Sequence, residues 1–146
     1  MIDRRRAPNR LGSRVTVDDS IAVARRAYDA YASMDIAAID ALMTDDHVVH
    51  VAGHHPLSGE YRGKEAVWGY LGRVAEISGG HGGFEVHAIT ADNDGHAVAL
   101  LTGTIREFVR PVIHIWHLRG DKLAEMWDAS LDQQAEDAFW TAATAE

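Results

Sequence analysis

The spacing of apolar residues changes once along this chain, and that change limits the fold more than any other feature. Before about residue 78 the apolar positions mostly recur every three or four residues, as on one face of a helix. From Phe84 onward branched and aromatic residues come in short runs separated by turn residues. In "TVDDSIAVARRAYDAYASMD", Thr16 and Asp19 form a capping box, and Ile21, Ala24, Tyr28, Tyr31 and Ala32 share a face. Asp35 caps a second, shorter helix, "IAAIDALM". A strand, "HVVHVA", and a loop through Pro56 and Gly59 precede a third helix opened by "GKEA". That helix repeats Ala66, Val67, Tyr70, Leu71, Val74 and Ile77 and stops at "SGGHGG". Four strands follow: "FEVHAITA", "HAVALLTGTIREF", "PVIHIWHL" and "KLAEMWDA". The segments "DNDG" and "RGD" act as tight turns within this meander. A last helix, "LDQQAEDAFW", follows a capping box of Ser130 with Gln133.

Helices grouped early and strands grouped late indicate an α+β fold. The expectation is a curved antiparallel sheet wrapped around an N-terminal helix layer, a cone-shaped α+β barrel with a ligand-sized interior. The 146 residues suit one domain, expected over residues 17–146 behind a flexible arginine-rich tail, residues 1–16. With no cysteine the fold must stand on packing, which fits a cytoplasmic location. No apolar run approaches the roughly 20 residues of a membrane span, and the N-terminal arginines lack the apolar stretch of a secretory signal. The tail holds five arginines and one acid, so the rest of a chain of net charge −8 carries 9 basic and 21 acidic residues. Such an acidic body is the wrong surface for tracking phosphates, so neither nucleic acid nor membrane is an expected partner.

Histidine is the informative residue type. The stretch "HVVHVAGHHPLSG" holds four of the nine. His50 has two readings, a core histidine satisfied by a carbonyl or an imidazole facing a pocket. His54 and His55 lie in a loop and read as exposed, and His81 and His96 sit at glycine-rich and turn positions. The faces of His87 and His117 are not fixed by the sequence. Nothing has the spacing of a metal signature such as HExxH, and no metal or other cofactor is expected.

Three stretches carry a family resemblance: "YASMDIAAIDALMTDDHVVHVAG", "PLSGEYRGKEAV" and "HIWHLRGDKLAEMWD". Over about residues 18–140 the chain resembles the nuclear transport factor two-like superfamily, particularly its SnoaL-like polyketide cyclase and ketosteroid isomerase branches. The resemblance implies the cone-shaped fold but no single reaction, since the superfamily hosts isomerases, cyclases, dehydratases, epoxide hydrolases and plain binding proteins. In the isomerase branch the general-base aspartate falls where His50 stands, and a protonated, oxyanion-binding aspartate falls where His114 stands. In the cyclase branch the usual base follows a tryptophan on the last strand, at Asp128 in "MWD".

Taken with the resemblance, these residues imply His50, His114 and Asp128 as a catalytic set. Removing a proton next to a carbonyl needs a base with a pKa near working pH and a donor where the enolate oxygen forms, and imidazole begins close to the right range. An ionised Asp128 would hold the His114 tautomer, with His50 or Asp128 taking the proton. Tyr28, Tyr31, Trp68, Leu100 and Trp116 are the expected substrate contacts, and Tyr28 or Tyr31 would be a second donor. The hairpin register decides whether Asp128 joins His114. A two-residue Gly120–Asp121 loop sets His114 opposite Trp127 and sends Asp128 to the other face. A three-residue loop with a glycine bulge sets His114 opposite Met126 and brings Asp128 to its side, which is the register the resemblance favours.

The leading expectation is a cofactor-free enzyme of the isomerase, cyclase or lyase type, acting on a small, largely apolar carbonyl compound in a closed cavity. The alternative is a non-catalytic binding or accessory protein of the same fold. Epoxide hydrolysis would want paired carboxylates and an arginine, for which Arg106 is the candidate. Apolar residues such as Ile113 and Ile115 on the outer sheet face predict a homodimer.

Overall fold

The structure is a computed structural model and describes residues 15–146. The arginine-rich segment, apart from its last two residues, lies outside the described residues. Helices α1 (Val17–Ala32) and α2 (Ile36–Leu42) are followed by strands β1 (Met43–Val51) and β2 (Gly59–Arg62) and then by helix α3 (Lys64–Ser78). Strands β3 (Gly82–Ala91), β4 (His96–Ile105), β5 (Phe108–Arg119) and β6 (Lys122–Ser130) follow, and α4 (Gln133–Thr144) ends the order. The caps explain the helix starts. The Thr16 hydroxyl takes the Asp19 N–H while Asp19 reaches back to the Thr16 N–H, and the Asp35 carboxylate takes the Ala38 N–H. Glycine closes α3, with Gly79 in the left-handed region at φ 57°. Two details differ from the sequence reading. The cap of α4 is Asp132, which takes the Ala135 N–H; Ser130 instead accepts the Asp132 N–H in the turn before it. The four-residue strand β2 stands where the sequence reads as loop, because four residues carry too little alternation to stand out.

The six strands form one curved, open sheet in the order β2-β1-β6-β5-β4-β3. All pairings are antiparallel except β1 with β6, which is parallel and joins the early strand to the last one. Helices α1 and α3 cover the inner face. The main core lies between them and the sheet, with Val23, Ala27, Tyr28, Val49, Val67, Leu101, Val112, Trp116 and Leu123 buried. A smaller core of Leu57, Ile77, Ile105, Trp140 and Ala143 lies against α4. Among the described residues, no helix is long and apolar enough to cross a membrane.

Candidate active site

Strand alternation decides which side chains meet. Along β5, Arg110, Val112, His114 and Trp116 share the inner face. The hairpin to β6 closes with a two-residue loop, Arg119 opposite Lys122, as the Gly-Asp turn suggested. An extra residue on β6 between Leu123 and Glu125 then shifts the register, so that His114 lies opposite Asp128 itself. Neither register considered from the sequence is the observed one. A bulge in the strand, rather than a longer loop, brings Asp128 to the histidine's side.

The result is one hydrogen-bonded chain of side chains through the inner face. Trp116 donates its Nε1–H to the Tyr28 hydroxyl at 2.8 Å. The hydroxyl lies 2.9 Å from His114 Nδ1. His114 Nε2 lies 3.2 Å from Asp128 Oδ2, and Arg110 Nη2 donates to Asp128 Oδ1 at 2.9 Å. Arg110 turns its Nε to Glu136 Oε2 at 2.9 Å, and Trp140 Nε1 donates to Glu136 Oε1 at 3.0 Å. An indole can only donate and an ionised carboxylate can only accept. For a neutral ring the sense is therefore set: Tyr28 donates to Nδ1, and Nε2–H donates to Asp128.

Electrostatics keep the carboxylate ionised. Burial alone would raise the pKa of Asp128, but the His114 ring and the Arg110 guanidinium outweigh it and bring it down to about 2. Burial opposes the charge of Arg110 too, and Asp128 and Glu136 overcome it, holding the guanidinium still more firmly protonated than usual. Tyr28 is pushed upward, chiefly by burial, so it serves as a donor rather than a phenolate. Tyr31, also through burial, is pushed up to about 12.

The other sequence candidates fall elsewhere. His50 is on the outer face, because His47, Val49 and Val51 take the inner positions of β1. It stacks on Trp127 at 5.0 Å and sits between Glu125 (2.5 Å) and Glu60 (3.2 Å), away from His114. The buried histidine satisfied by a carbonyl is His47, whose Nδ1 lies 2.9 Å from Leu123 O. Leu100 pairs with Ile113 on the outer face and is exposed, so it does not wall the site. Trp68 spends its Nε1–H on Asp40. Tyr31 packs against the main core. His55 is buried rather than exposed, with its Nδ1 accepting the Leu57 N–H. Arg106 binds Ile77 O and Glu146, and the cation of the site is Arg110. The His114 side chain is mostly buried, 14% exposed. A concavity of about 450 Å³ lies at the start of β3, lined by His81, Phe84, Thr102, Thr104 and Arg106. Phe84 links the two, with its ring 5.6 Å from that of Tyr28.

Comparison with known proteins agrees with this architecture. The family described as "SnoaL-like domain" matches residues 24–126. An uncharacterized protein of Mycobacterium tuberculosis is 23% identical over 132 residues, covering 86% of this chain and 99% of its own. Bal32a, from a soil-derived mobile gene cassette, superposes with a TM-score of 0.79 at 20% identity, covering 85% of this chain and 98% of its own. TerC, co-crystallized with polyporic acid, superposes with a TM-score of 0.69 at 17% identity, over 85% of this chain and 98% of its own. Other solved neighbours are described as NTF2-like, the nuclear transport factor two-like class.

Proposed function

Because this chain belongs to the SnoaL-like domain family, we propose that it is a cofactor-free acid–base enzyme. The reaction would be of the isomerase, cyclase or lyase type, on a small, largely apolar carbonyl compound. One observation carries the reading: the buried chain Tyr28–His114–Asp128, with its carboxylate held ionised. His114 is the base. Asp128 orients it rather than abstracting the proton, since both its oxygens are engaged and a carboxylate near pKa 2 is a weak base. As the Tyr28 oxygen takes a proton from the carbon next to the carbonyl, the Tyr28 proton passes to His114 Nδ1, and the ring becomes a donor at both nitrogens. Tyr28 then accepts from both Trp116 and His114, and its own O–H turns to the enolate oxygen. Proton transfer and oxyanion stabilisation are thus coupled through one hydroxyl. Phe84, on the edge strand and partly exposed, is the side chain a ligand displaces to reach Tyr28. That TerC was crystallized with polyporic acid supports a small-molecule ligand in this architecture.

The binding-protein reading has an observation of its own: every polar atom of the His114–Asp128 pair already has a partner inside the protein. NMR of a panel of enolisable ketones in D₂O separates the two. Catalysis shows as deuterium incorporation next to the carbonyl, lost in His114→Ala with ligand binding retained. Saturable binding without incorporation in the wild type would establish the binder. We infer further a cytoplasmic homodimer joined through the outer sheet face, where Leu100 and Ile115 are exposed beside Ile113 and Trp127. A light-scattering mass of one chain at micromolar concentration would refute the dimer.

A further inference from the structure

We propose that Arg110 and Glu136 are positioning residues through which the C-terminal helix fixes the proton pattern on His114. The inference rests on the reading of His114 as the base and adds two residues to it, one on a helix beyond the stretch that the family matches.

Helix α4 is held in a fixed place against the loop after β1. Gly53 has φ 100°, and a Cβ there would collide with the side chains of Asp137 and Gln133. Asp137 accepts the His54 N–H at 3.0 Å. So docked, α4 turns Glu136, 3% exposed, inward on the same face as Trp140 and Ala143. A carboxylate in that position has to be fully paired. Its oxygens take the Arg110 fork side-on, Nε to Oε2 at 2.9 Å and Nη2 to Oε1 at 2.6 Å, together with the Trp140 indole.

The guanidinium has its own slot. Arg110 lies opposite Gly103, where a Cβ would come within 3.1 Å of its Cγ and 3.4 Å of its Cδ. Held there and gripped by Glu136 through Nε and Nη2, Arg110 turns the same Nη2 toward Asp128 and takes Oδ1 alone. Oδ2 is left to the histidine. A guanidinium released from Glu136 would be free to take both Asp128 oxygens, the geometry such pairs favour, and to draw the carboxylate off the ring. The titratable groups here are Tyr28 from α1, Tyr70 from α3, Arg110 and His114 from β5, Asp128 from β6 and Glu136 from α4, with His55 from the loop nearby. Burial keeps both tyrosines protonated. Two carboxylates and one guanidinium then leave one negative charge beside the ring.

The test is ¹⁵N NMR of the histidine rings in the ligand-free protein. In the wild type at a pH where the ring is neutral, His114 shows a single tautomer with the proton on Nε2. Glu136→Gln keeps the acceptor for Trp140 and loses the charge; Gly103→Ala keeps every hydrogen-bonding group and pushes Arg110 from its slot. Both are expected to lose the single-tautomer pattern to a mixture, and Glu136→Asp to restore part of it. Folded Glu136→Gln and Gly103→Ala proteins that retain the wild-type ring pattern would overturn the proposal. Should Glu136→Gln fail to fold, Gly103→Ala decides alone. The readout needs no turnover, so failure of the ketones to exchange would remove the enzymatic reading and leave this one standing.

Discussion

Replacing Asp128 with asparagine tests the electrostatics of the site by a route that needs no substrate. The carboxyl is held at about 2 against an ordinary 3.8. At about 1.4 kcal/mol per pH unit, that difference is on the order of 2–3 kcal/mol of folding stability above the ordinary carboxylate range. Removing one partner of a buried pair typically costs about 3–5 kcal/mol, because the partner is left uncompensated. Here Arg110 keeps Glu136, so the expected loss lies near the lower figure, about 2–3 kcal/mol. The sign follows from linkage. A carboxylate whose folded pKa is depressed contributes its stability above the unfolded pKa and loses it as pH falls through the folded one. The gap between wild type and Asp128→Asn should therefore shrink as pH falls from about 4 toward about 2. Urea unfolding followed by circular dichroism across that range measures it. A gap under about 1 kcal/mol, or one that does not narrow on acidification, would refute the account of Asp128 as a stabilised anion.

Three further outcomes follow from the geometry. Tyr28→Phe removes the hydroxyl shared by Trp116 and His114 and leaves buried polar groups unmatched, so unfolding should show a loss of about 1–3 kcal/mol. It should also abolish the coupled donor, lowering any ketone exchange by about 10²–10⁴-fold. Gly53→Ala combines an unfavourable positive φ with a collision against α4, and a lowered melting temperature with a loss of more than about 2 kcal/mol is expected. His50→Ala, on the outer face between two partly exposed glutamates, should cost under about 1 kcal/mol and leave the His114 ring signals where they are.

The helices were legible because their caps and apolar stripes agree, as Thr16–Asp19 and Asp35 show. The pairing of His114 with Asp128 was half legible. A shared face for the two residues is among the options the sequence offers, but the observed register is not, and the bulge that produces it leaves no mark in "DKLAEM", where no glycine or proline punctuates the extra residue. Arg110 lies just before the strand start that Pro111 marks in the sequence, although β5 begins at Phe108. Stepping back by twos from His114 lands on Arg110, so alternation alone was enough to find it. Glu136 carried a signal as well, a carboxylate three and seven positions before Phe139 and Ala143 and four before Trp140 on an apolar stripe. For His50 the difficulty was parity. The run "HVVH" offers a histidine to each face of the sheet, and no composition rule says which face is buried.

The parallel seam between β1 and β6 has a consequence for synthesis on the ribosome. His47 bonds to a carbonyl 76 residues downstream. At roughly 5–20 residues per second, the nascent chain waits about 4–15 s before that neighbour is even made. During the interval β1 has a vacant flank able to pair with another polypeptide. Asp45 and Asp46, both exposed at its start, put negative charge on that flank while it waits. Translation therefore completes the sheet from its tail end, and the early helices settle onto a surface finished only when the last strand has emerged.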